Sequence, residues 1–142
     1  MDEPKKQGYL AYCHNPETPF TVVNIGYDFN KFYCDEPKIP NSFITVGQMN
    51  PANFYRKGID LILETAKKFT AATFTIIGDS KGMTYGEIPA NVKIMPFVPY
   101  EQLRQEYAKH EFYFQLSLME GFPSAPCEAM LCECIPITSN VG

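Results

Sequence analysis

From Phe43 onward, short apolar runs rich in β-branched residues alternate with stretches of helical spacing, and this alternation limits the chain to few architectures. Phe43-Ile44-Thr45-Val46 stops at Gly47, Thr73-Phe74-Thr75-Ile76-Ile77 stops at Gly78-Asp79, and Val92-Lys93-Ile94-Met95 stops at Pro96. Phe112-Tyr113-Phe114-Gln115-Leu116 and Ile135-Pro136-Ile137-Thr138 complete the series. A run such as Phe43 to Val46, apolar and β-branched and closed by a turn residue, reads as a strand covered on both faces. Between the runs, Ile59, Ile62, Leu63, Ala66 and Phe69 fall at helical spacing, with Asp60, Glu64, Lys67 and Lys68 on the other face. Tyr100 to Lys109 and Ser124 to Glu133 read as two further helices.

Strands and helices in this order, joined by short links, predict an α/β fold: an open, doubly wound parallel sheet of Rossmann-like type, with right-handed crossovers. Such sheets bind ligands outside the carboxyl ends of their strands. Those ends fall at Gly47-Gln48, Gly78-Asp79, Pro96-Phe97 and Leu118 to Gly121. The first 40 residues are punctuated by Pro4, Pro16, Pro19, Pro37 and Pro40, with only Phe20 to Ile25 reading as a short β run. Residues 1–40 are therefore expected to be an irregular connection and residues 41–142 a domain.

Composition removes several function classes. At 45% hydrophobic and 20% charged residues the chain can bury a core and is too apolar for intrinsic disorder. A net charge of −4 offers no basic footprint for nucleic acid. Met-Asp-Glu-Pro-Lys-Lys opens the chain without an apolar core segment, and no long apolar run follows, so a soluble cytoplasmic domain is expected. Five cysteines include Cys127, Cys132 and Cys134 in an apolar stretch, and His14 and His110 lie far from them in sequence. Without CxxC spacing or histidine support these read as buried free thiols, and no metal site is expected.

The richest stretch is Glu120-Gly121-Phe122-Pro123-Ser124-Ala125-Pro126-Cys127-Glu128, at a strand-to-helix junction. Ser124 reads as an N-cap and Pro126 as a first-turn proline, leaving helix amides for a phosphate. Alone, Glu128 would be a first-turn glutamate complementing the helix dipole, worth about 0.3–1 kcal/mol. Two carboxylates bracketing an anion-binding helix start are, however, suited to a hydroxyl-rich phosphorylated ligand. Arg56-Lys57-Gly58 opens the first predicted helix, where cations oppose the helix dipole unless an anion binds.

From Val23 to Gly142 the chain resembles the C-terminal domain of the group 1 retaining glycosyltransferases of GT-B fold. Asn24-Ile25-Gly26-Tyr27-Asp28 with Phe32 resembles that family's NGVD…F, and Lys57-Gly58-Ile59-Asp60 its KGxD. Ile76-Ile77-Gly78-Asp79 resembles the IVGDG strand end, and Glu120-Gly121-Phe122-Pro123 with Glu128-Ala129-Met130 resembles EGFG…EAM. The resemblance implies one half of a GT-B fold, truncated at its C-terminus and lacking an N-terminal acceptor domain. It implies transfer of a sugar, with retention of configuration, from a UDP- or GDP-linked donor to a saccharide, lipid or protein acceptor. This chain would supply the donor-binding half and be inactive alone; any membrane association would come through parts not present.

The roles implied by the resemblance fall on particular residues. Lys57 would hold the donor diphosphate, Glu128 the ribose hydroxyls, and Glu120 with the backbone of Gly121 and Phe122 the sugar. Val98, in the loop Phe97-Val98-Pro99, would offer backbone to the base, and amides near Ser124 would reach phosphate. No cofactor or metal is implied, because lysine and helix dipole neutralise the leaving group. Two positions depart from the pattern: Gln48 stands where the family has arginine, with Arg56 as a substitute cation, and Pro123 stands where it has a second glycine. These departures favour the alternative of a diverged, non-catalytic nucleotide- or partner-binding module. Glycoside hydrolysis by Glu120 and Glu128 fits less well, because hydrolysis needs no phosphate clamp.

Overall fold

The computed structural model describes residues 26–79 and 83–141. The expected β run at Phe20 to Ile25, and Asn24 and Ile25 of the first motif, lie outside the described residues. Among the described residues five strands are present: β1 (Ile39–Met49), β2 (Thr73–Asp79), β3 (Val92–Pro96), β4 (His110–Gln115) and β5 (Ile135–Thr138). They form one parallel sheet in the order β3-β2-β1-β4-β5. The helices are α1 (Asn53–Arg56), α2 (Ile59–Lys68), α3 (Tyr100–Lys109) and α4 (Ser124–Leu131).

Adjacent residues of a strand point to opposite faces, so the two core clusters identify which helix covers which face. Ile76 and Phe114 pack with Ile59, Ile62, Leu63 and Ala66 of α2. Their neighbours Ile77 and Tyr113 pack with Leu103 and Tyr107 of α3 and Ala129 of α4. Helices therefore cover both faces of the central strands, and β2, buried from Phe74 to Gly78, is apolar without alternation for that reason. Phe43 stacks between Phe74 of β2 and Phe112 of β4, with ring centroids 4.9 and 4.8 Å away.

The strand β1 begins at Ile39, four residues before the apolar run suggests. Pro40 has no N–H to give a ladder, and Asn41 adopts φ 55°, so the backbone is irregular there. Side chains supply the missing bonds: Asn41 N–H donates to the Glu111 carboxylate (2.7 Å), and the Ser42 hydroxyl accepts from Glu111 N–H (3.0 Å). The strand β4 likewise begins at His110 instead of Phe112, its imidazole buried between the Glu106 carbonyl (2.6 Å) and the Thr75 hydroxyl (2.9 Å). Among the described residues, no helix is long and apolar enough to cross a membrane.

The segment from Gly26 to Lys38 packs against the domain. Phe32 is buried with its ring 6.3 Å from both Tyr100 and Tyr107. Arg104 holds Asp35 at 2.6 Å and lies over the Tyr33 ring. Lys38 donates from one ammonium to the Tyr107 carbonyl (3.1 Å) in the last turn of α3 and to the Cys132 carbonyl at the end of α4. A cation there complements both negative helix ends. Replacing it by Met is expected to cost about 1–3 kcal/mol, since two carbonyls lose a charged donor. Urea unfolding checks this as a lower midpoint with an unchanged slope.

Candidate functional site

The order of the sheet reverses at β1, whose neighbours β2 and β4 lead away in opposite directions. A crevice opens at such a switch point, beyond the carboxyl ends of the strands. Glu128 of α4, Val98 and Leu103 line a cavity of roughly 400 Å³ there, together with Val46, Gly47 and Ser124. Burial pushes the Glu128 carboxyl above its ordinary range, partly offset by the Tyr107 hydroxyl 3.5 Å away. A carboxylate in this setting is short of partners and gains from any hydroxyl donor that enters.

The start of α4 differs from the sequence expectation. Pro123, not Ser124, occupies the N-cap position, with φ −73°, and no side chain caps the helix. A proline ring is pre-set for that φ. Ser124 is the first helical residue, and Glu128 falls in the second turn, so its carboxylate lies beyond the reach of a helix-dipole partner and faces the cavity. Of the four N-terminal amides a helix leaves unpaired, Pro123 and Pro126 have none, which leaves those of Ser124 and Ala125. Both residues line the cavity. The helix ends at Leu131 instead of Glu133, which adopts φ 62°.

Lys57 lies at the other side of the crevice. Arg56 ends the four-residue helix α1, with Lys57 as its C-cap, so these cations stand where expected, just before the opening of α2, and also at the C-terminus of a short helix that the sequence does not reveal. Gly58 then takes φ 67° and starts α2. A Cβ on Gly58 would lie 2.2 Å from the Leu116 carbonyl oxygen, so only glycine allows this approach. The resulting turn brings the Lys57 ammonium over Gly47 and 2.5 Å from Glu120 Oε1.

Glu120 Oε1 also accepts from the Ser117 hydroxyl (2.6 Å) and the Gln115 amide (2.7 Å). Burial opposes the charge of Glu120, but hydrogen bonds from Lys57 and Ser117 and the field of Lys57 outweigh it and hold the carboxyl below its ordinary range. Glu120, Phe122 and Pro123 line a second, smaller pocket of roughly 190 Å³, with Gln115, Cys127 and Ser139. Gly121 and Phe122 are exposed in the same loop.

The other predicted cations and substitutes are placed as follows. Gln48 is exposed at the end of β1, and its carbonyl accepts from Asn53 (2.8 Å). The Arg56 guanidinium is bound to Asn53 Oδ1 (3.0 Å) and the Met119 carbonyl (3.3 Å), while the Arg56 carbonyl accepts from Leu118 N–H (2.8 Å). Arg56 thus ties the Glu120 loop to α1. Cys132 and Cys134 are buried free thiols, whereas Cys34 and Cys127 are only half-buried. Among the described residues no group of three His, Cys, Asp or Glu side chains is arranged to hold a metal ion.

Gln115, Ser117 and Tyr113 were not singled out by the sequence, although a lone glutamine ending a run of Phe112 to Phe114 is a detectable anomaly. The glycosyl transferases group 1 family model matches residues 29–142, which contain every residue of this site. The chain belongs to that family.

No curated protein sequence matches the chain. Among solved structures, sucrose-phosphate synthase from Thermosynechococcus elongatus superposes with a TM-score of 0.76 at 19% identity, over 98% of this chain and 39% of that one. The pneumococcal O-GlcNAc transferase GtfA, solved with UDP and GlcNAc, gives 0.76 at 21% identity, over 99% of this chain and 28% of that one. The C-terminal domain of a group 1 family protein, LpcC from Francisella tularensis, gives 0.62 at 19% identity, over 80% and 70%. The fold is thus that of the GT-B glycosyltransferases, and the chain spans well under half the length of the first and second of these proteins.

Because the placement of Lys57 depends on Gly58, Gly58→Ala is expected to cost about 2–4 kcal/mol, combining a left-handed backbone with a clash. Gly86 has φ 69° but open space where a Cβ would stand. Gly86→Ala is accordingly expected to cost only about 1–2 kcal/mol. Denaturant unfolding of the two variants side by side separates the clash from the backbone cost.

Proposed function

We propose that this chain is the donor-binding half of an enzyme that transfers a sugar from a nucleotide sugar to a saccharide, lipid or protein acceptor, with retention of anomeric configuration. The observation that carries the reading is convergence: Glu128, Gly47 and the first two residues of α4, Ser124 and Ala125, line one cavity, and the Lys57 ammonium stands over Gly47. A cavity of roughly 400 Å³ falls within the usual range for small-molecule sites.

In this reading Glu128 accepts from ribose hydroxyls, and backbone at Phe97 and Val98 meets the base. The helix amides and Lys57 take the diphosphate and stabilise it as it leaves. Glu120 Oε2, which no described residue bonds, accepts from a sugar hydroxyl. A neighbour of the same fold solved with UDP makes a UDP-linked donor the first to test, with GDP-linked donors next. The clamp is built from lysine and amides, so nucleotide affinity is expected to be the same with and without EDTA.

One observation favours the second reading, a non-catalytic nucleotide- or partner-binding module. Arg56 is engaged by Asn53 and Met119, Gln48 carries no charge, and Lys57 is paired with Glu120, so among the described residues little uncompensated positive charge faces a phosphate.

Calorimetric titration with UDP, GDP and ADP tests the binding site. One of them is expected to bind, with Lys57→Ala and Glu128→Ala each weakening it by roughly tenfold to a hundredfold, the loss of a charged hydrogen bond. Binding that neither substitution changes, or no binding, would sink the donor-site reading. Transfer from a radiolabelled nucleotide sugar by the full-length protein separates enzyme from module.

The raised Glu128 carboxyl adds a check with a definite sign. A carboxyl whose folded pKa lies above its unfolded value removes stability as pH rises through the carboxylate range. Glu128→Gln is therefore expected to raise the melting temperature of the ligand-free protein at pH 7 while weakening nucleotide binding. An equal melting temperature at pH 4 and a gap that opens toward neutrality would confirm the cause.

A further inference from the structure

Glu120 is held by more than its lysine. Gln115 ends β4, is 6% exposed, and uses every polar atom of its side chain. Its amide nitrogen donates to Ser117 Oγ (2.9 Å) and to Glu120 Oε1 (2.7 Å), and its Oε1 lies 3.0 Å from the Tyr113 hydroxyl. The amide cannot turn over: flipping it would set its oxygen against the Glu120 carboxylate, which has no proton to give. Its backbone carbonyl is fixed as well, accepting from Ser139 N–H at 2.9 Å. Tyr113 is fully buried, and its hydroxyl also lies 3.3 Å from the carbonyl of Val46, a residue of the Glu128 cavity.

Glu120 Oε1 therefore faces three donors, from Lys57, Ser117 and Gln115, while no described residue bonds Oε2. The lysine is the donor a ligand can compete for, because an ammonium on a flexible stem turns toward a phosphate beside Gly47. The other two, Gln115 at the end of β4 and Ser117 two residues beyond it, are buried and stay in place. We infer that Gln115 is a positioning residue for the donor sugar: it pins one oxygen of Glu120, presenting the other to a sugar hydroxyl, and does so while Lys57 engages phosphate. This rests on the donor-site reading above.

The test compares nucleoside diphosphate with nucleotide sugar. Full-length wild type, Gln115→Leu and Ser117→Ala are titrated with UDP, UDP-glucose and UDP-N-acetylglucosamine, and with GDP and GDP-mannose, across pH 4 to 8. In Gln115→Leu the affinity for free diphosphate is expected to stay within about twofold, while the gain contributed by the sugar falls on the order of tenfold, as for one lost charge-assisted hydrogen bond. On acidification that gain disappears as Glu120 takes up a proton. Its midpoint is expected to move to higher pH in Gln115→Leu, since a donor that favours the carboxylate has gone. Ser117→Ala is expected to shift both readouts in the same direction and removes less volume, so it carries the test if Gln115→Leu does not melt cooperatively. Equal losses for diphosphate and sugar nucleotide, or no change in either, would overturn the inference and leave the donor site standing. A wild type that binds no nucleotide would overturn both.

Discussion

How closely the turn between α1 and α2 approaches the end of β4 decides what can meet at the carboxyl edge of the sheet. Gly58 stands against the Leu116 carbonyl, and one residue earlier Lys57 reaches across Gly47 to Glu120. Two further bonds close the same seam, from Leu118 N–H to the Arg56 carbonyl and from the Arg56 guanidinium to the Met119 carbonyl. Residues 56 to 58 and 116 to 120 thus form one rigid unit across the switch point. An ion pair that is 17% and 10% exposed on its two sides survives only with such support, because each partner alone would leave a charge stranded.

Glu120 and Glu128 are eight positions apart yet sit in opposite electrostatic settings. Glu120 has three donors on one oxygen, and they overcome the cost of its burial. Glu128 has burial and one long contact from Tyr107, and burial wins. The first is an organised acceptor whose charge is already compensated. The second is a poorly compensated acceptor whose charge destabilises the free protein and is relieved by a ligand that donates to it. Binding sites are commonly places where stability is given up in this way.

The regular elements were legible because the sheet is covered on both faces, so strands such as Phe43 to Val46 and Thr73 to Ile77 carry uninterrupted apolar runs. The opening of β1 was not, because Pro40 and Asn41 break every strand signal and the pairing is restored by Ser42 and by Glu111, which is distant in sequence. The helix α1 is too short for periodicity to show, so the sequence places Arg56 and Lys57 at the opening of α2 but not at the C-terminus of α1. Ser124 reads as the cap one position too late, since serine is the better cap by propensity but Pro123 fits the φ the junction requires. Lys57, Glu120 and Glu128 were found through motif order, which marks residues but not their contacts. That Lys57 and Glu120 touch, 63 positions apart, is a property of the sheet order and of Gly58.

The placement of Arg56 changes what the departure at Gln48 means. With Arg56 committed to Asn53 and Met119, it stabilises the Glu120 loop and contributes to a phosphate only through its distant field. Among the described residues the local charge is then one lysine balanced by one glutamate. An ammonium has three protons, and Glu120 uses one, so Lys57 has donors for an anion even before it turns away from the pair. A bound diphosphate would nevertheless lie near the Glu120 carboxylate, and its net electrostatic gain comes mainly from the amides of Ser124 and Ala125. On the proposed reading such a site would hold a bare diphosphate weakly and a complete nucleotide sugar better, because the sugar hydroxyls would supply donors to the same carboxylate that repels the phosphate. Under that proposal Glu120 would discriminate between substrate and leaving group through one charge acting with opposite sign on the two halves of the donor.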